Sequence, residues 1–257
     1  MEIDYVAFDS FGVKSSCTFI KTKNVNICID PGIAIETDSF PLSFTKRLWL
    51  VQKYKRRIYQ YCKKADVIVI THYHYDHHIP KADLYKNKTL LIKDPEKNIN
   101  KSQKERANYF LSLVEKNKIE MADGKEFKYG STKIKFSKPL WHGMEGTKLG
   151  KVIMVVVEEY GKKFVYSSDI DGPYIKKYAK IIANENPHVL VLDGFPSYLL
   201  GFLASIRNLR RSIKNTIYIL ENTKSKIILD HHLLRDYRFR EIYYEVFRKA
   251  KAVSYIH

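Results

Sequence analysis

The stretch Ala65-Asp66-Val67-Ile68-Val69-Ile70-Thr71-His72-Tyr73-His74-Tyr75-Asp76-His77-His78 decides how this chain is read. Its first half is short, apolar and β-branched, the composition of a strand buried on both faces. Its second half follows without a spacer and brings His72, His74, Asp76 and His77 together. Imidazole and carboxylate are donors that borderline divalent cations take, and the end of a rigid strand holds them in fixed geometry. A solvated polar turn would account for one histidine here. It does not account for four ligating side chains in a row.

The other histidines strengthen this reading. His142 stands alone in Pro139-Leu140-Trp141-His142-Gly143, just after two β-like runs at 127–129 and 132–136. Asp169 follows the apolar run 164–167, and His231 and His232 follow the run 226–229. Each time a ligand comes directly after a strand pattern, which points to one rim of a sheet. His188 opens the apolar run 188–192 and reads as structural, and His257 is terminal.

The order His72-x-His74-x-Asp76-His77, then His142, then Asp169, then a late histidine resembles the metallo-β-lactamase superfamily of hydrolases. The stretch from Asp9-Ser10-Phe11-Gly12 to Ile29-Asp30-Pro31-Gly32, with Leu229-Asp230-His231-His232-Leu233-Leu234-Arg235-Asp236, is similar to a branch of archaeal predicted hydrolases with no settled substrate. The resemblance implies an α/β fold, an αββα four-layer sandwich of two mixed β-sheets with the site at one edge. It also implies two divalent metal ions, with zinc the first expectation and manganese or iron also tolerated by such donors. His72, His74 and His142 would hold one ion. Asp76, His77 and His231 would hold the other, with His232 as the alternative for that last place. Asp169 would bridge. A hydroxide between the ions would attack the substrate. His232 would face the substrate as a proton donor, and Asp76 could carry a proton while ligating. Asp30 is placed to orient a metal-bound histidine, although a plain turn aspartate explains it equally well.

Length and composition bound the rest. A chain of 257 residues with 45% hydrophobic content can bury a sizeable core, and no linker or repeat divides it, so residues 1–257 read as a single domain. No apolar run approaches the length of a membrane span, and the N-terminus lacks a signal pattern. Cys17, Cys28 and Cys62 are odd in number and have no CxxC spacing. They read as small core residues in a reducing cytoplasm. Along the chain, strands are expected at 3–8, 17–21, 25–29, 65–70, 89–92, 127–129, 132–136, 152–157, 164–167, 188–192 and 226–229. Helices are expected at 45–64, capped by Thr45, at 102–116, from Pro173 to about 184, at 202–220 and at 235–250. The first helix should bury Leu48, Val51, Tyr54, Ile58 and Tyr61.

Two function classes remain. One is a metal-dependent hydrolase of small esters, thioesters, lactones or phosphoesters. The other is a nuclease acting on RNA or DNA, encouraged by 45 Lys+Arg against 28 Asp+Glu and a net charge of +17. Such a field favours anionic partners, whether a small substrate or nucleic acid. The interval from Asp169 to His231 is short for the extra domain that several nuclease branches carry there. A redox scaffold would need a flavin domain that this length does not accommodate. The first helix separates the classes, because its outer face carries Lys53, Arg56 and Arg57. The triple variant K53E/R56E/R57E should barely change a small anionic substrate's KM. A polynucleotide would instead show log K falling by about 0.9 per contact with log salt, a slope lost in the variant. The small-substrate outcome is expected.

Overall fold

The computed structural model describes residues 1–38 and 40–250, so His257 lies outside the described residues. Two six-stranded sheets form it. The first comprises β1 (Glu2–Phe8), β2 (Ser16–Lys21), β3 (Asn26–Ile29), β4 (Val67–Ile70), β5 (Thr89–Ile92) and β6 (Lys118–Met121), in that spatial order. Its β1, β2 and β3 are antiparallel, whereas β3 to β6 run parallel. The second half contributes β7 (Glu126–Tyr129) and β8 (Thr132–Phe136). It continues with a two-stranded ribbon of β9 (Leu140–Trp141) and β10 (Lys151–Val152). Then come β11 (Val155–Glu159), β12 (Lys162–Tyr166), β13 (Val189–Asp193) and β14 (Lys226–Asp230). The second sheet has the order β14-β13-β12-β11-β8-β7 and repeats the design, with β12, β13 and β14 parallel and the rest antiparallel.

Both faces of both sheets are covered, which explains the near-continuous apolar runs. In β4, Val67 and Val69 turn toward the opposite sheet, while Ile68 and Ile70 turn outward. The seam between the sheets packs Phe8, Ile29, Val69 and Leu91 against Ile134, Val155, Phe164, Tyr166 and Ile228. Outside the first sheet lie α1 (Phe44–Lys64) and α2 (Lys101–Val114), which contribute Leu50, Ile58, Cys62, Ala107, Phe110 and Val114. Outside the second lie α3 (Lys176–Glu185), α4 (Ile206–Asn222) and, after the short α5 (Phe239–Ile242), α6 (Tyr244–Lys249). The architecture is the αββα four-layer sandwich. Among the described residues no helix is long and apolar enough to cross a membrane. The three cysteines are free, buried thiols of the outer core of the first sheet.

Several elements differ from the sequence reading, each for a local reason. Ser43, not Thr45, caps α1 by accepting from Lys46 N. Leu48 is 43% exposed, and Arg47 turns inward instead. It can do so because its guanidinium donates to Glu36 O at 2.6 Å and Asp38 Oδ1 at 2.7 Å. The run 152–157 is split: Val152 pairs with the ribbon and Val155 with the main sheet. The mixed-polarity strand β6 was not foreseen. Pro173 precedes α3 rather than opening it, and its carbonyl accepts from Asn215 Nδ2. Ser205 caps α4, which leaves Phe202 on the preceding turn, 83% exposed. The closing helix is broken into α5 and α6, and Tyr237, within the expected helix, lies exposed ahead of both. Its start is lost because Arg235 is drawn into the interior by Asp9.

The seam predicts its own test. Phe164 is fully buried between the sheets, so Phe164→Ala should cost about 3–5 kcal/mol of unfolding free energy. Urea denaturation followed by circular dichroism checks this, and a loss below 1 kcal/mol would mean that the seam tolerates a cavity there.

Candidate metal centre

Strands from both sheets deliver polar residues to one edge of the sandwich. Asp9 follows β1, Asp30 follows β3, and the His72–His78 loop follows β4. His142 follows β9, Asp169 follows β12, Asp193 ends β13, and His231 and His232 follow β14. Open sheets collect ligands at the carboxyl ends of their parallel strands, and here two such sheets meet. The chain turns sharply at these exits. Asp30, Ser168, Asp171 and His231 all adopt left-handed backbone angles, with φ of 48°, 55°, 54° and 63°. Such conformations cost of order 1–3 kcal/mol each in non-glycine residues and cluster at functional sites. Gly32 has no side chain because the His77 backbone nitrogen lies 2.1 Å from where its Cβ would be.

One oxygen is the hub. Asp169 Oδ2 lies 3.1 Å from His77 Nε2, 3.4 Å from His231 Nε2, and 3.5 Å from both His72 Nε2 and His142 Nε2. His74 Nδ1 is 3.1 Å from His72 Nε2. The donor atoms of His72, His74, His142 and Asp169 lie within 4.8 Å of one another, and so do those of Asp76, His77 and His231. All seven residues of the expected ligand set therefore meet at one place. His232 sits beside them but turns its Nδ1 to Asp193 Oδ1 at 2.9 Å and Asp171 Oδ1 at 3.4 Å. His78 does not join; its Nδ1 reaches His74 O, and its ring packs on Phe110. His188 lies elsewhere, where its Nδ1 accepts from Lys163 N.

A ring of carboxylates fixes the histidines from behind. His77 Nδ1 donates to Asp30 Oδ2 at 2.8 Å. Asp30 is itself held by Thr71 N, Thr71 Oγ1 and Tyr166 Oη. His231 Nδ1 donates to Asp9 Oδ1 at 2.8 Å, and Arg235 Nε donates to Asp9 Oδ2 at 2.6 Å. These bonds leave Nε2 of both rings aimed at Asp169. Asp171 and Asp193 were not singled out from the sequence, although both come directly after strands; Asp9 and Arg235 stood within the stretches that carry the family resemblance, but no role was assigned to either.

The electrostatics call for cations. Buried atoms without a hydrogen-bond partner include His77 Nε2, His142 Nδ1 and Nε2, and both oxygens of Asp169. Orphaned buried groups of this kind cost about 1–3 kcal/mol each. Burial opposes a charged ring at His77, yet Asp169 and Asp30 outweigh it and raise His77 to about 10. The carboxylates draw positive charge onto the ring, and divalent cations would supply it instead. Burial and neighbouring imidazoles push His72 down and His74 to about 3, so both offer lone pairs. Burial raises Asp76, but His77 and Arg235 outweigh it and keep the carboxylate ionised, which works against a proton-carrying role. The donor set fits divalent ions of the zinc, manganese and iron class.

Asp30→Asn should therefore weaken zinc binding about 10–100-fold while leaving the metal-facing donors intact. Competition against a chromophoric chelator measures it, and an unchanged Kd would show that His77 is oriented without Asp30.

The family model for a Beta-lactamase superfamily domain matches residues 25–196. A UPF0282 protein of Korarchaeum cryptofilum is 38% identical over 258 residues, covering 99% of this chain and 86% of its own. One of Methanocaldococcus jannaschii is 42% identical over 260 residues, covering 94% and 87%. Among solved structures, CmlA, a diiron β-hydroxylase from Streptomyces venezuelae, is 12% identical with a TM-score of 0.57, covering 99% of this chain and 52% of its own. Zn2+-bound PqqB from Methylobacterium extorquens is 10% identical with a TM-score of 0.54, covering 93% and 85%. At those identities the structural likeness speaks for the fold alone. The matched domain and the near full-length relatives together place the chain: it belongs to the β-lactamase superfamily and, within it, to the archaeal UPF0282 proteins.

Proposed function

We propose that the protein is a hydrolase of small ester-, thioester-, lactone- or phosphoester-type substrates that works with two divalent cations. The observation that carries this reading is the convergence of four imidazole nitrogens on Asp169 Oδ2 within 3.1–3.5 Å. His72, His74 and His142 would hold one cation, Asp76, His77 and His231 the other, and Asp169 would serve both. Bound there, the pair would polarise the scissile group and activate a water at neutral pH. Asp30 and Asp9 hold the His77 and His231 rings in register, and Arg235 keeps Asp76 ionised from 3.3 Å.

His232 completes the reading. Burial and the Arg235 charge push it down to about 3, so at neutral pH the ring is neutral. Its Nδ1 meets Asp193 Oδ1 at 2.9 Å, which holds the ring beside the centre as the group that would pass a proton to the leaving group. An anionic group on the substrate has a place nearby. Lys176, Arg211 and Lys214 outnumber Glu145 and Glu221 on the wall of a cavity of about 830 Å3 beside Tyr174. One observation favours the nuclease reading: on α1, Lys46 and Lys53 lie 4.4 and 5.3 Å over the ring of Trp49, which is 53% exposed. Aromatic rings among cations can stack single-stranded bases.

Elemental analysis of protein purified without chelator should find up to two transition-metal ions per chain. His74→Ala should lower occupancy and cut hydrolysis of chromogenic ester, thioester, lactone and phosphodiester substrates by more than about 100-fold. Full occupancy in that variant would reject the ligand assignment.

A further inference from the structure

A second feature adjoins the centre and is of opposite character. A cavity of about 440 Å3 opens between the loop after β9 and the loop after β13. Its wall is mostly apolar: Met144, Leu149, Tyr174, Phe195, Leu199 and Leu203. Asp171 also lines it, and Asp171 Oδ1 is 3.4 Å from His232 Nδ1 and 3.6 Å from His142 Nδ1. The cavity and the metal centre therefore share a side chain. Gly143 makes that approach possible, since a Cβ there would lie 2.2 Å from Asp171 Oδ2.

Two independent observations say that something fills this space. The rim exposes a set of large apolar side chains: Met144 at 47%, Leu149 at 41%, Leu203 at 64% and neighbouring Phe202 at 83%. Contiguous exposed apolar surface marks binding. Tyr174 is buried, yet its hydroxyl has no hydrogen-bond partner among the described residues. Buried hydroxyls without a partner are costly, and this one belongs to a side chain lining the cleft. A cavity of this size, apolar with a few polar groups, fits a small molecule. Asp171 and Lys148 carry opposite charges on its wall, so the apolar remainder rather than a net charge decides what fills it.

Resting on the hydrolase reading, we propose that the substrate carries an uncharged apolar group, an acyl chain or aryl ring, which occupies this cleft. The Tyr174 hydroxyl bonds a polar atom of the substrate, and the scissile group is turned past Asp171 toward Asp169. Any anionic group of the substrate lies at the far side of Tyr174 and Met144, where the cleft meets the cavity lined by Lys176, Arg211 and Lys214. A polynucleotide backbone, charged at every residue, does not match such a cleft.

The test pairs binding with turnover in metal-loaded, full-length protein. The binding probe is the neutral fluorophore N-phenyl-1-naphthylamine. The turnover pair is p-nitrophenyl acetate and p-nitrophenyl hexanoate, each cleaved by water at the acyl–oxygen bond to acid and phenol. The probe should bind saturably, and Leu203→Asp, a change at an exposed position, should weaken it at least about tenfold. Hexanoate should exceed acetate in kcat/KM by at least about tenfold, with the ratio collapsing toward one in Leu203→Asp. Tyr174→Phe should raise KM more than it lowers kcat. Equal turnover of both esters without saturable probe binding would overturn the cleft proposal and leave the hydrolase standing. Saturable binding lost in Leu203→Asp, with no turnover of any chromogenic substrate, would support the cleft and reject the hydrolase.

Discussion

A single buried carboxylate oxygen, Asp169 Oδ2, organises this protein. Four imidazoles from three loops, His72 and His77 after β4, His142 after β9 and His231 after β14, close on it. Among the described residues neither Asp169 oxygen has a hydrogen-bond donor, and both lie in an interior where unpaired charge is expensive. Such an arrangement is stable only if positive charge enters it. Protons on the rings can supply that charge, and so can divalent ions, which satisfy several donors at once.

The rest of the edge follows from that demand. Histidine rings aimed inward need their outer nitrogens occupied, and Asp30 and Asp9 do this from the ends of β3 and β1. Asp9 in turn needs a counter-charge, and Arg235 is pulled out of the final helical segment to provide it. The left-handed turns at Asp30, Ser168, Asp171 and His231 are the backbone consequence. A strand must end abruptly for its next side chain to face the seam, and the sandwich above supplies the stability that tolerates the strain. Structural economy and chemistry thus meet at the same residues.

The surface sets a different condition. The net charge of +17 draws anions toward the molecule from a distance. The cleft beside the centre is instead walled by Leu199, Leu203, Phe195 and Tyr174. Long-range charge governs approach, whereas the short-range shape and polarity of the cleft govern which part of a molecule enters. The two need not select the same group of a substrate.

The sequence by itself determined the architecture and most of the centre. Ligands placed directly after apolar runs are a local signal, and strand-end geometry converts it into a common rim. That is why the convergence of His72, His74, Asp76, His77, His142 and Asp169 on one edge was legible. Helix N-caps, the split at residues 152–157 and the inward Arg47 were not, because each depends on partners distant in the chain, such as Glu36 and Asp38 for Arg47. Neighbouring His231 and His232 are equivalent as sequence. Only the tertiary structure separated them: the left-handed turn at His231 sends its ring to the Asp169 hub, while His232 meets Asp193 at the end of a parallel strand. The supporting Arg235, the orphaned Tyr174 hydroxyl and the apolar cleft likewise exist only once the two sheets have packed. A contact between residues more than two hundred positions apart has no local signature to read.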